Sequence, residues 1–158
     1  MTPEVYNKLK EEFPELFANL EYGCQCGDGW YQIVHAFCLA TKSTRFYVKE
    51  SVTLDMPNIE LTSVKQKFGT IRIHYNLSYD DKWTKLHDID INQYIKHVDK
   101  AKQFLFGCEQ MAHYMSLITC EKTGKPGKLH IRGGWVKVLC PEEAAANSYT
   151  PWEQNKNK

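Results

Sequence analysis

The sequence predicts an α+β domain: an antiparallel sheet of about three strands covered by helices, with a small C-terminal β ribbon of degenerate zinc-ribbon type. Three observations carry this. Apolar residues recur at helical spacing within 5–20, 30–38 and 91–118, alternate with a period of two between 44 and 77, and fall into short pieces between glycines from 119 to 140. Helices and strands are segregated along the chain rather than strictly alternating, which is the order of this class. The 158 residues, 42% hydrophobic and 25% charged, suffice to close one core without a disulfide or metal. Residues 1–143 are expected to form one domain, with 119–143 as its ribbon and 144–158 as a short helix and flexible tail.

Each element has a local reason. Thr2 can cap a first helix, Pro3 suits its first position and Glu4 suits its positive end, while Val5, Leu9 and Phe13 share a face. Pro14 ends it. The glycines and cysteines of residues 23–29 exclude regular structure there, and Asp28 is placed to cap a second helix carrying Trp30, Ile33, Val34, Phe37 and Cys38 on one stripe. Residues 44–55 alternate as a strand. A second β region, 59–77, turns at Phe68-Gly69-Thr70, where glycine tolerates positive φ. Asp90 and Gln93 have capping-box spacing ahead of the longest helix, to about Ile118, roughly 40 Å at 1.5 Å per residue.

Composition excludes several functional classes. A formal net charge of +1 gives no whole-molecule attraction to nucleic acid or membranes, so any such partner needs a local patch. No apolar run approaches the ~20 residues of a bilayer span, and the first seventeen residues are charged throughout. The expectation is a soluble cytoplasmic protein without a membrane partner. No phosphate loop, dinucleotide fingerprint or nucleophile elbow occurs, and the six histidines form no metal-ligating pair on a helix face.

A local patch does exist. Between Glu121 and Val138 stand Lys122, Lys125, Lys128, Arg132 and Lys137 against Glu121 alone. Lys65, Lys67 and Arg72 join them if the central hairpin packs beside the ribbon, and His130 and Trp135 offer faces on which a base can stack. These nine residues, Lys122 excepted and His130 and Trp135 included, form the candidate anion site. The competing reading is a solvated charged face that protects a β edge.

Cysteines supply the second candidate. Cys120-Glu-Lys-Thr123 and, sixteen residues on, Cys140-Pro-Glu-Glu143 have the spacing of two zinc knuckles in which Thr and Glu replace the second thiolates. Cys24 and Cys26, or Glu143, are the residues able to complete a zinc site with Cys120 and Cys140. The preferred reading is no cofactor, with packing around Trp135 and Leu139 in place of the metal. Cys38 and Cys108 fall on apolar helix faces and read as core.

Cys26-Gly-Asp-Gly-Trp30, Val64-Lys-Gln-Lys-Phe-Gly69, and Cys120-x-x-Thr-Gly-x-Pro-Gly127 with Gly134-Trp135 and Cys140 resemble a group of small proteins encoded by tailed phages and prophages. The resemblance spans most of 22–143. It implies a second Cys where Thr123 stands, and a Cys or His near Glu143; this chain departs at both. It brings no established activity, but by class it implies modulation of a host system, host defence included. The expected function is therefore a non-catalytic phage-type binding protein that takes up nucleic acid or a phosphorylated nucleotide. The alternatives are a host-protein inhibitor anchored by Trp30, Tyr79, Trp83 and Trp135, and a small Cys/His enzyme using Cys26.

Overall fold

Thr2 and Pro3 start helix α1, Pro3–Glu12, which buries Leu9 and then Phe13 at its C-cap. The Thr2 side chain does not cap its own helix. Its backbone N–H and its hydroxyl both donate to the Asp28 carboxylate, at 2.6 and 3.0 Å, so Asp28 ties the chain start to a loop instead of capping α2 through its side chain. The computed structural model describes residues 1–47, 58–78 and 91–155. Turns at 14–19 bury Leu16 and Phe17, and the Leu16 carbonyl accepts the N–H of Leu61 at 2.8 Å, which fixes this segment against the sheet.

Strand β1, Cys24–Gln25, precedes a 3-10 turn at Asp28–Trp30 and helix α2, Tyr31–Tyr47. Residues 44–47, expected to begin a strand, are instead the last turn of α2. The buried hydroxyls of Thr41 and Thr44 bond back to the carbonyls of Cys38 and Thr41, so these β-branched residues sit in helix with their polar atoms satisfied. The rest of that expected strand, 48–55, lies outside the described residues, as do Tyr79, Trp83, Asp90 and 156–158.

Strands β2, Asn58–Lys67, and β3, Thr70–Ser78, form the expected hairpin. Phe68 and Gly69 take φ of +53° and +77°, the two left-handed positions of a primed turn that suits the strand twist. Sheet order is β1-β2-β3, with β1 parallel to β2, so the third strand comes from the cysteine loop. Val64, Ile71 and Ile73 face inward against Trp30, Val34 and Phe37 of the N-terminal half and Leu105 of the long helix. That helix, α3, runs Ile91–Ile118 as the stripe predicts. Near its end the Ser116 hydroxyl accepts the N–H of Ile71 at 3.0 Å, satisfying a donor on the open edge of β3.

The ribbon is β4, Lys128–Arg132, and β5, Trp135–Leu139, antiparallel and in register from Lys128–Leu139 to Arg132–Trp135. Helix α4, Pro141–Ala146, follows at once, and β6, Thr150–Pro151, adds a third strand in the order β5-β4-β6. The chain is thus α+β, with two small three-stranded sheets among the described residues. The segment read as helix and tail from 144 begins inside α4 and returns to the ribbon before a 3-10 turn at Trp152–Asn155. Cys120, Leu139, Cys140 and Ala144, with Tyr149, make a second apolar cluster beneath it.

Candidate functional site

Strand alternation decides which basic side chains stand together. On the first sheet Val64, Ile71 and Ile73 point into the core, so Lys65, Lys67, Arg72 and His74 project from the other face. Lys65 and Arg72 are directly opposite one another, and Gln25 of β1 lies beside Lys65. Among the described residues no carboxylate comes within 4 Å of Lys65, Lys67 or Arg72. One Arg72 Nη donates to Nδ1 of His113 at 2.6 Å, so the guanidinium is positioned by a neutral acceptor. At the hairpin tip Phe68 is 72% exposed, with Lys67 Nζ 5.6 Å from its ring centre.

The ribbon residues fare differently. Lys137 is held by Glu121, Nζ to Oε2 at 3.5 Å, and Glu121 is itself buried, with Oε1 accepting the Gly27 N–H. His130, expected to stack on a base, is 9% exposed, its Nδ1 2.7 Å from the Lys128 carbonyl. Lys125 approaches Glu142 at 4.0 Å on the surface. Arg132 donates to the Asn147 carbonyl at 2.7 Å and lies over the Tyr149 ring. Lys128 is exposed, and Trp135 is 70% exposed.

The two hairpins do touch. A Cβ on Gly69 would stand 2.5 Å from Leu129 Cδ2, and Gln66 Nε2 donates to the Val136 carbonyl at 2.6 Å. Gln66 alternates onto the face of Val64, so the ribbon meets the inner side of the sheet, and Lys65, Lys67 and Arg72 point away from it. The structure therefore keeps Lys65, Lys67 and Arg72 as one group and leaves Lys128, Arg132 and Trp135 as another. No scan against family models, curated proteins or solved structures matches this chain.

Cys120 and Cys140 meet as the knuckle spacing implies. Burial pushes the Cys120 thiol up, but the Thr123 hydroxyl and the backbone N–H groups of Cys140, Thr123 and Lys122 bond to its sulfur and hold it below the ordinary thiol range. Cys140 goes the other way: the Glu143 N–H lowers it, and the Glu142 carboxylate, burial and Cys120 together raise it. Thr123 Oγ1 lies 3.7 Å from Cys140 Sγ, where a second knuckle thiolate would point, and Glu143 Oε2 takes an N–H from Asn147 at 3.2 Å. Two sulfurs are half of the four donors of a structural zinc site, and among the described residues no group of three or more His, Cys, Asp or Glu side chains is arranged to hold a metal ion.

Cys24 and Cys26 do not join that pair. Their loop abuts the knuckle through backbone, Gly29 N–H to the Glu121 carbonyl at 2.9 Å, and through the Trp30 indole N–H to the Thr119 carbonyl at 2.8 Å. Burial pushes the thiols of Cys24, Cys26 and Cys38 up to about 12, which keeps them protonated near neutral pH and makes Cys26 a poor nucleophile. Trp30, expected as an exposed anchor, is 0% exposed and belongs to the core. Sequence reasoning missed three things: the exposed Phe68, the His113 prop for Arg72, and a cleft between α2 and α3.

Proposed function

We propose that this protein is a non-catalytic binding module whose outer β2–β3 face takes up single-stranded nucleic acid. The carrying observation is the Lys65–Arg72 pair. Like charges directly opposite on a sheet destabilise it, and among the described residues no carboxylate relieves this one. A phosphate between them removes the repulsion, Lys67 extends the positive track, and Phe68 offers a ring to a neighbouring base. A phage-type role against a host system, defence included, is part of the proposal and rests on the resemblance of the three motif segments. The absence of a membrane-spanning helix among the described residues is compatible with such a partner.

Fluorescence anisotropy with a labelled oligothymidylate tests it. With three cations engaged, log K is expected to fall with log salt at a slope of about −2, from roughly −0.7 per phosphate neutralised on a single strand. Lys65→Glu with Arg72→Glu is expected to abolish binding, and Phe68→Ala to weaken it by about 1–3 kcal/mol, the worth of one stacked base. Lys128→Glu with Arg132→Glu leaves it intact. Binding that survives the first pair, or that is lost only with the second, overturns the proposal.

A further inference from the structure

Two thiols that the binding reading leaves unused stand together beneath the ribbon, apart from the basic sheet face. The Glu121 N–H donates to the Val138 carbonyl at 2.9 Å, which lays Cys120 beside the end of β5, and Cys140 follows β5 directly. Cys120 and Cys140 are 0% and 2% exposed and share one buried cluster with Leu139 and Ala144. A single hydroxyl links them: Thr123 Oγ1 lies 3.7 Å from Cys140 Sγ and also bonds to the Cys120 sulfur.

The two sulfurs are not equivalent. Against the cost of burial, the Thr123 hydroxyl and the N–H groups of Cys140, Thr123 and Lys122 favour a thiolate at Cys120. The Glu143 N–H favours one at Cys140, but the Glu142 carboxylate, burial and Cys120 outweigh it, so Cys140 keeps its proton. A thiolate beside a thiol is the arrangement that closes a disulfide once the first sulfur is oxidised. The other cysteines do not compete. Burial holds the thiols of Cys24, Cys26 and Cys38 at about 12 and raises that of Cys108.

Access selects the reagent. Thr123 and Glu142, which touch the pair, are themselves exposed, so the sulfurs lie one side chain below the surface, within reach of a small neutral oxidant and shut to a bulky one. We propose that Cys120 and Cys140 form a reversible disulfide on meeting a small hydroperoxide. The Cys120 sulfur attacks one peroxide oxygen: the S–O bond forms, the O–O bond breaks, and the departing hydroxide takes a proton from solvent to become water. The Cys140 thiol then passes its proton to the Glu142 carboxylate, and its sulfur attacks the Cys120 sulfur. The S–S bond forms, the S–O bond breaks, and the second hydroxide leaves as water with that proton. The two sulfurs together lose two electrons, and hydrogen peroxide is reduced to two waters. The new bond closes residues 120–140, with β4 and β5 inside, into one loop.

The probe is hydrogen peroxide in small molar excess over the full folded chain, followed by alkylation in denaturant and mass spectrometry. Two of the six free thiols are expected to escape alkylation. The intact mass should fall by about 2 Da, the two hydrogens lost. Fragmentation of the cross-linked peptides should place the bond between Cys120 and Cys140, and dithiothreitol should restore all six thiols. Cys140→Ser is expected to stop at a sulfenic acid on Cys120 that dimedone traps, and Cys120→Ser to lose no thiol. All thiols intact in the wild-type protein, bonds between other cysteines, or a bond that forms only in urea overturns the inference. Oligothymidylate binding reads a different face, so neither result decides the other.

Discussion

Gly29→Ala is expected to destabilise the protein by at least about 3 kcal/mol, read as a lowered urea midpoint in tryptophan fluorescence. A Cβ there would stand 2.3 Å from the Cys120 carbonyl oxygen, 2.4 Å from the Gly124 nitrogen and 2.7 Å from the Thr123 nitrogen. All three are backbone atoms, so no side chain can swing aside. The loop and knuckle must separate, which strains the Gly29–Glu121 and Trp30–Thr119 hydrogen bonds and disturbs the fully buried Trp30. Gly107→Ala is the matched control. It lies in α3 with open space around it, and alanine there is expected to be neutral or to stabilise by up to about 1 kcal/mol. Equal midpoints for the two variants would show that loop and knuckle are not in backbone contact.

The double variant Thr123→Cys with Glu143→Cys is expected to acquire a tetrahedral zinc site. Cys120 and Cys140 lie close enough to perturb one another, and Cys140 stands at the N-cap of α4 with residue 143 on its first turn. Thr123 occupies the remaining knuckle position beside Cys140. Only donor identity is wrong. Metal analysis after dialysis should find about one zinc per chain in the double variant, with a melting temperature that falls on adding chelator, because metal binding to a preformed thiolate set adds directly to folding free energy. Each single variant, with three thiolates, should retain less. A double variant that holds no zinc would mean that the two turns do not present their side chains to a common point.

Much of the fold was legible because its signals are local. The proline and acidic start of α1, the period of α3, the Phe68-Gly69 turn and the paired knuckles each follow from a few adjacent residues. What escaped depends on partners far along the chain. Residues 44–47 alternate like a strand, yet continue α2 because Thr41 and Thr44 satisfy their hydroxyls within it. Strand β1 has two residues, too few for any period. The basic cluster was counted along the sequence, and counting cannot see that Glu121 neutralises Lys137 or that His130 turns inward. The helical period of α3 carries Ala101, Leu105, Ala112 and Met115 on one stripe; the first three are buried, and Met115, towards the C-terminal end of the helix, is 43% exposed.

The bonds that seat the cysteine loop bear on how the chain is made. The Gly27 and Trp30 donors find acceptors 94 and 89 residues later, at Glu121 and Thr119. A nascent polypeptide emerging from the ribosome cannot complete its amino-terminal half until the ribbon has been synthesised, and such non-local closure slows folding. During that interval the indole of Trp30 and the thiols of Cys24 and Cys26 lack their final shelter, so a truncated product ending before residue 119 is expected to be a substrate for chaperones and proteases rather than a smaller working unit.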